Sequence, residues 1–201
     1  MAMQQCAAGM HRKTDKIMKK LGTHNSLSYL PCQWWLRPFR WMGRCQRLTI
    51  SEQYDKGVRR FDIRVKYNDM CVAKSGHGLM TYNVLIKDVL ALLDEKKDTT
   101  VRLFLENSRF NPEKFFIQFR HDINRWRKEF TNIRFVEGGC RYNYTRFIED
   151  NDPVRICHAE YWKKKFCIPY PLCWARRNNY RLHRGDDDTV CSVYDFVEEG
   201  M

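Results

Sequence analysis

Apolar residues recur along this chain in two different periods, and the switches between them lay out alternating strands and helices. Val58–Val65 alternates apolar and polar positions and reads as a strand. Met70–Ala73, Thr100–Leu105, Ile133–Val136, Val154–His158 and Val190–Val197 read the same way, with Lys16–Leu21 as a short, poor strand. Thr49–Lys56 reads as a short helix, with Thr49 as its cap, Glu52 three residues on, and Gly57 as its stop. Asn83–Lys96 carries apolar residues at 84, 85, 86, 89, 90, 92 and 93, which predicts a helix with a wide buried face. Asn111 as cap and Pro112 at the first position open another helix that runs to about Phe130. A tyrosine-rich loop fills 141–147, and residues 163–189 read as mostly irregular. The alternation predicts a parallel α/β architecture, either a barrel or an open sheet. Residues 1–15 are expected to be a flexible N-terminal segment and 16–201 a single domain.

Composition narrows the classes. With 201 residues, 43% hydrophobic and 14% aromatic, the chain can bury a sizeable core. No run of about 18 apolar residues is present, and Met1 to Lys20 lacks the apolar stretch of a secretory signal. The nine cysteines form no CxxC pair or zinc-like spacing, which suits free thiols in a reducing compartment. Cys71, Cys157 and Cys191 lie in strand-like runs and read as small core residues. The expected location is cytoplasmic, peripheral at a membrane. The formal net charge of +12 implies anionic surroundings: a phospholipid surface, nucleic acid or phosphorylated substrates. A merely solvated basic surface accounts for much of it.

Four polar signals change the picture: Gly22-Thr23-His24-Asn25-Ser26, Phe61-Asp62-Ile63-Arg64, Gly76-His77-Gly78 and Tyr194-Asp195-Phe196. Each falls where a β-prone run gives way to a loop, and in parallel α/β folds those strand ends converge on one face. Two histidines, an arginine and acids there suit phosphodiester cleavage: one imidazole removes a proton, the other supplies one, and the guanidinium holds phosphate. A lone histidine after a strand is more often a surface or capping residue, and the glycines around His77 also suit a plain tight turn. Asp62 and Arg64 sit two apart, so they share a side of their strand. An internal salt bridge is the bland reading, but a bare ion pair is an expensive core filler. Glu106, at the end of Val101–Leu105, suits a pocket and an exposed strand end equally. His121, His11 and His183 read as bystanders; His158 is the one other histidine in reach.

Trp34, Trp35 and Trp41 are interleaved with Arg37, Arg40 and Arg44. Membrane-interface contact is the first reading, core packing the second and base stacking on nucleic acid the third.

With these residues in view, the chain resembles the phosphatidylinositol-specific phospholipase C X-domain superfamily. The resemblance runs through Leu21-Gly22-Thr23-His24-Asn25-Ser26, through Gln46 and Ile50-Ser51-Glu52-Gln53-Tyr54 to Gly57–Arg64, then Gly76-His77-Gly78 and Val101–Glu106-Asn107. It ends in Trp174–Asn179 and Val193-Tyr194-Asp195-Phe196-Val197, and residues 21–110 carry most of its specificity. It implies a TIM-type barrel, here compact and incomplete because the chain is short for the family, with the loss between 130 and 190. It also implies cleavage of an inositol phospholipid by its own inositol hydroxyl. His24 would be the general base oriented by Asp195, His77 the general acid, Arg64 the phosphate ligand, and Asp62 the support of Arg64 and the ring. Asn25, Glu106 and Arg64 would bind substrate, and Trp34, Trp35, Trp41, Arg37 and Arg40 would touch an anionic membrane.

Arg64 matches the metal-independent bacterial type, so no cofactor is expected. Asn25 and Glu106 match the calcium-dependent enzymes instead, and Asn25, Asp62 and Glu106 are the alternative calcium ligands. Lacking an Asp at 25, His77 would donate its proton more slowly or use Glu106 instead. A monomer that binds no nucleic acid is expected. The competing readings are a phosphodiesterase for another glycerophospholipid and a non-catalytic phosphoinositide-binding module.

Overall fold

The structure, a computed structural model, describes residues 21–106, 112–140, 154–157, 170–184 and 190–199. Leu21–Thr23 (β1) lies parallel to Val58–Tyr67 (β2) on one edge and to Cys191–Tyr194 (β8) on the other. Beyond β2 come Thr99–Leu105 (β5) and Ile133–Cys140 (β6), again parallel, and beyond β8 comes Val154–Ile156 (β7). Six parallel strands thus run in the order β6-β5-β2-β1-β8-β7. Among the described residues no ladder joins β6 to β7, so the barrel stays open there. The predicted incomplete α/β barrel is the observed fold.

The antiparallel hairpin of Ala73–His77 (β3) and Met80–Leu85 (β4) is attached to the far end of β2. It departs from the sequence reading, which put a strand at Met70–Ala73 and started a helix at Asn83. Asn68 turns the chain instead: its carbonyl and Oδ1 accept from Cys71 N at 2.9 Å and Val72 N at 2.8 Å. Cys71 therefore sits at φ 57 in a turn, half-buried rather than in the core. Pairing with β3 holds residues up to Leu85 extended, and the helix begins only at Ile86 (α2, Ile86–Asp94). Cys157 and Cys191 are buried as expected, and both are free thiols, as are Cys32, Cys45, Cys71 and Cys173.

Thr49 caps Ile50–Asp55 (α1) with Glu52 returning the bond, the predicted capping box. Pro112–Glu129 (α3) lays Phe115, Phe119, Ile123 and Trp126 onto the sheet. These meet the odd-numbered residues of β2 and β5, from Phe61 to Tyr67 and from Val101 to Leu105, all buried. The even-numbered residues of both strands face the other way, and from Arg60 in β2 and Arg102 in β5 onward they are charged or aromatic: Arg60, Asp62, Arg64, Lys66, Arg102 and Phe104. The interior of this partial barrel is therefore polar where such barrels are usually filled by branched apolar layers.

Pro171–Arg184 (α4) falls in a stretch read from sequence as irregular. The last strand is shorter than the predicted Val190–Val197, because the chain turns at Asp195 and Phe196, the latter at φ 45. Of the predicted strand Lys16–Leu21 only Leu21 is described, and the expected N-terminal segment 1–15 and the 141–147 loop lie outside the described residues. Trp34–Met42 forms a 3-10 helix with no buried residue. Trp34 is 74% exposed and Trp35 56%, which excludes the core-packing reading. No described helix is long and apolar enough to cross a membrane.

Candidate active site

Sheet register alone brings most of the site together. Thr23 pairs with Tyr194, so the next residues, His24 and Asp195, emerge side by side from β1 and β8. His24 Nδ1–H donates to Asp195 Oδ1 at 2.8 Å. That fixes Nε2 as the basic nitrogen, and it lies 4.0 Å from Asp62 Oδ2. Asp62 is opposite Arg102 in the β2–β5 ladder, and Arg64 is opposite Phe104. Arg102 Nη1 donates to Asp62 Oδ1 at 2.6 Å, and Arg64 Nε to Asp62 Oδ2 at 2.8 Å. The Arg64 guanidinium also lies 4.4 Å over the Phe104 ring.

Glu106 closes the chain of charges from the end of β5. Its Oε1 accepts from Arg64 Nη1 at 3.0 Å and from His77 Nδ1 at 3.3 Å, while Oε2 accepts from Gly78 N at 3.3 Å. The imidazoles of His24 and His77 face each other edge to face, with centroids 6.1 Å apart. The two imidazoles thus meet directly, each with its Nδ1 on a different buried carboxylate, and Arg64 shares Glu106 with His77.

Burial pushes the Asp62 carboxyl up, but Arg64 and Arg102 outweigh it and hold the group well below the usual carboxylate range. Burial lowers the Arg64 pKa, and Asp62 and Glu106 overturn that, so the guanidinium is a fixed cation. His77 is pushed below 6.5 by burial, helped by Arg64 and His24 and opposed by Glu106.

Several supporting residues were not predicted as part of the site. Lys66 Nζ donates to Gly78 O at 2.5 Å and Met80 O at 3.1 Å, bracing the turn behind His77. Gly76 is required in that hairpin, since any Cβ there would strike the Met80 carbonyl. Gln46 Nε2 donates to His24 O at 3.1 Å and Tyr194 O at 2.9 Å, tying both halves of the His24–Asp195 pair. Asn179 of α4 donates to Asp195 O at 2.8 Å and Phe196 O at 3.0 Å. Gln46 and Asn179 fall within the resembling stretches, which gave them no role. Arg102 was legible only through the β2–β5 register.

Asn25, Asp62 and Glu106, the alternative calcium ligands, do not converge on an open space. Asp62 and Glu106 are bridged by Arg64, and Asn25 Nδ2 points at Gly43 O, 3.3 Å away. Asn25 does serve the site through its backbone, whose N–H donates to Asp62 Oδ2 at 3.1 Å. Among the described residues, the side chains that could hold a metal are His24, Cys45 and Asp195, whose ligand atoms lie within 4.8 Å of one another. Burial and Asp195 push the Cys45 thiol well above its usual pKa. His183 stacks on Tyr194 at 4.1 Å, His121 is exposed, and His11 and His158 lie outside the described residues.

No family model matches the chain, and no curated protein matches it in sequence. Solved structures do. The phosphatidylinositol-specific phospholipase C from Listeria monocytogenes is 13% identical, with 91% of this chain and 89% of that chain covered and a TM-score of 0.62. A single-site mutant of the Staphylococcus aureus enzyme is 11% identical, covering 90% and 89%, with a TM-score of 0.59. A further Staphylococcus aureus structure, concerned with modulation of membrane binding, is 12% identical, covering 88% and 85%, with a TM-score of 0.58. The chain shares the fold of these bacterial enzymes.

Proposed function

We propose that the protein is a metal-independent phosphodiesterase that cleaves phosphatidylinositol or a related inositol phospholipid. The observation that carries the reading is the pair of imidazoles 6.1 Å apart, each bonded through Nδ1 to a buried carboxylate, Asp195 or Glu106, with Arg64 held by Glu106 and by Asp62. Asp195 keeps His24 Nε2 basic, and that nitrogen takes the proton from an inositol hydroxyl. The hydroxyl oxygen attacks phosphorus, the bond to the diacylglycerol oxygen breaks, and His77 gives that oxygen a proton. The products are a cyclic inositol phosphate and diacylglycerol. Each proton transfer is of a kind that contributes about 10²–10⁴-fold.

Arg64 spends two of its five N–H donors on Asp62 and Glu106, which leaves three for phosphate oxygens. A strand-borne guanidinium supplies there the positive charge that a bound cation would bring, and both carboxylates already serve it. Glu106 takes the supporting part for His77 that an acid at position 25 would otherwise play. The likeness in fold to bacterial phosphatidylinositol-specific enzymes supports the choice of substrate.

The test is release of water-soluble inositol phosphate from phosphatidylinositol vesicles in excess EDTA, with His24→Ala in parallel. Release by the wild type alone supports the reading. Recovery only with added calcium would transfer the role of Arg64 to a metal. Binding without release under both conditions would favour a phosphoinositide-binding module.

A further inference from the structure

Outside the site, positive charge gathers in a recess of about 210 Å³ along the 3-10 helix and the chain that follows it. Arg37, Arg40, Arg44 and Arg47 line it, with Trp41 and Tyr170 packed edge to face at 5.5 Å. Only Arg47 has a carboxylate partner among the described residues, Glu199 at 3.0 Å, and Arg176 shares that carboxylate at 3.4 Å. Glu198 is near enough to be felt by Arg44 and Arg47, and burial pushes its carboxyl up.

Three of the four guanidiniums are held in place, while Arg37 is exposed at the rim. Arg40 donates to Tyr29 O, Arg44 Nε donates to Gln46 O at 3.1 Å, and Arg47 lies 5.3 Å over the Phe196 ring. Burial and the neighbouring Arg40 and Arg47 lower the Arg44 pKa, a sign of like charges crowded together. Folding gains nothing from such crowding, and an anion seated among preorganised guanidiniums relieves it. The same 3-10 helix carries Trp34, Trp35 and Phe39 with at least half of each side exposed to solvent (74%, 56% and 56%). Cations beside exposed aromatics on one short helix match a bilayer surface, with phosphate outside and acyl chains within.

We propose that this recess binds the phosphate of an anionic glycerophospholipid that is not the substrate, held in the leaflet while the neighbouring site works. The proposal goes beyond the phosphodiesterase reading, because such a lipid has no inositol hydroxyl and is bound without turnover. Phe196, which lines the recess, directly follows Asp195 and donates its N–H to Cys45 O at 2.6 Å, so recess and His24 partner share one turn of chain.

The experiment is sedimentation with vesicles of phosphatidylcholine alone and of phosphatidylcholine mixed with phosphatidylglycerol. It compares wild type, Arg37→Gln with Arg44→Gln, and a control with the same charge loss on α2 and α3, Lys87→Gln with Arg127→Gln. Phosphatidylglycerol should tighten wild-type binding, and the recess variant should lose about 25-fold of that gain, near fivefold per basic residue at an anionic surface. The control should lose less than about twofold, since its charges lie away from the recess. Equal losses in both variants would mean diffuse attraction and overturn the proposal. As a measurement on unmodified protein, glycerol phosphate should quench Trp41 saturably and displace the protein from the mixed vesicles. Saturable quenching by inorganic phosphate or an oligonucleotide, with no response to phosphatidylglycerol, would overturn the lipid source. None of these readouts needs catalysis, so an inactive protein tests the recess as well as an active one.

Discussion

Arg64 and His77 share one oxygen, Oε1 of Glu106, at 3.0 Å and 3.3 Å. The residue proposed to hold phosphate and the residue proposed to protonate the leaving group are thus positioned by a single buried carboxylate. Glu106→Gln keeps the shape and removes the charge. Turnover on phosphatidylinositol should fall about 100-fold, and because a buried ion pair loses one partner, thermal unfolding should register a loss of about 3–5 kcal/mol. Unchanged turnover with lowered stability would make Glu106 purely structural.

Asn25→Asp installs the acid that the sequence resemblance to metal-independent phospholipases would call for after the first histidine, yet it should not help here. Asn25 is buried at φ 46, a conformation Asp also tolerates, and its Nδ2 donates to Gly43 O. A carboxylate in that place would meet a carbonyl oxygen instead of donating to it. We expect a loss of about 1–3 kcal/mol by denaturant titration and no gain in turnover. A rise in turnover would show that the position-25 acid, rather than Glu106, is the better support for His77.

The lowered pKa of His77 has a definite sign. The leaving-group proton requires the charged imidazole, whose population falls as pH rises through a value below 6.5. The kcat/KM profile should therefore carry a descending limb on the acidic side of neutrality, matched by the His77 ring signals in an NMR titration. Removing the negative charge of Glu106, which opposes the lowering, should shift that limb to still lower pH. A limb above about 7 would contradict the burial argument.

Trp34 and Trp35 contact each other edge to face at 5.9 Å and are otherwise largely in solvent. Replacing both by Ala should leave the melting temperature unchanged within about 1 °C, because little buried area is lost. Partition to phosphatidylinositol-containing vesicles should weaken about 10- to 100-fold. Unchanged partition would remove these tryptophans from the membrane-facing surface.

Residues that announce themselves by period or by cap chemistry were legible in the sequence. Phe61–Val65 alternates cleanly, so the shared side of Asp62 and Arg64 followed at once. Thr49 with Glu52 marked α1 without ambiguity. Elements whose buried positions are not apolar were invisible. The face that α4 buries is Pro171, Ala175 and Asn179, a stripe of correct spacing made of residues that carry no hydrophobic signal. β3 buries Ser75 and Gly76, and its apolar neighbours Cys71 and Val72 drew the strand assignment into the turn instead. Arg102 and Lys66 required register, a tertiary fact. The mutual positions of Asn25, Glu106 and Arg64 required the folded site.

Arg64 is anchored on a central strand, with two carboxylates already holding it. A cation carried in the polypeptide cannot be chelated, diluted or supplied in pulses. If it stands where related chemistry uses a diffusible ion, the catalytic centre is deaf to ion signals. Control over when the protein works then has to act on its arrival at the lipid surface, which makes the arginine- and tryptophan-bearing helix the natural point of command.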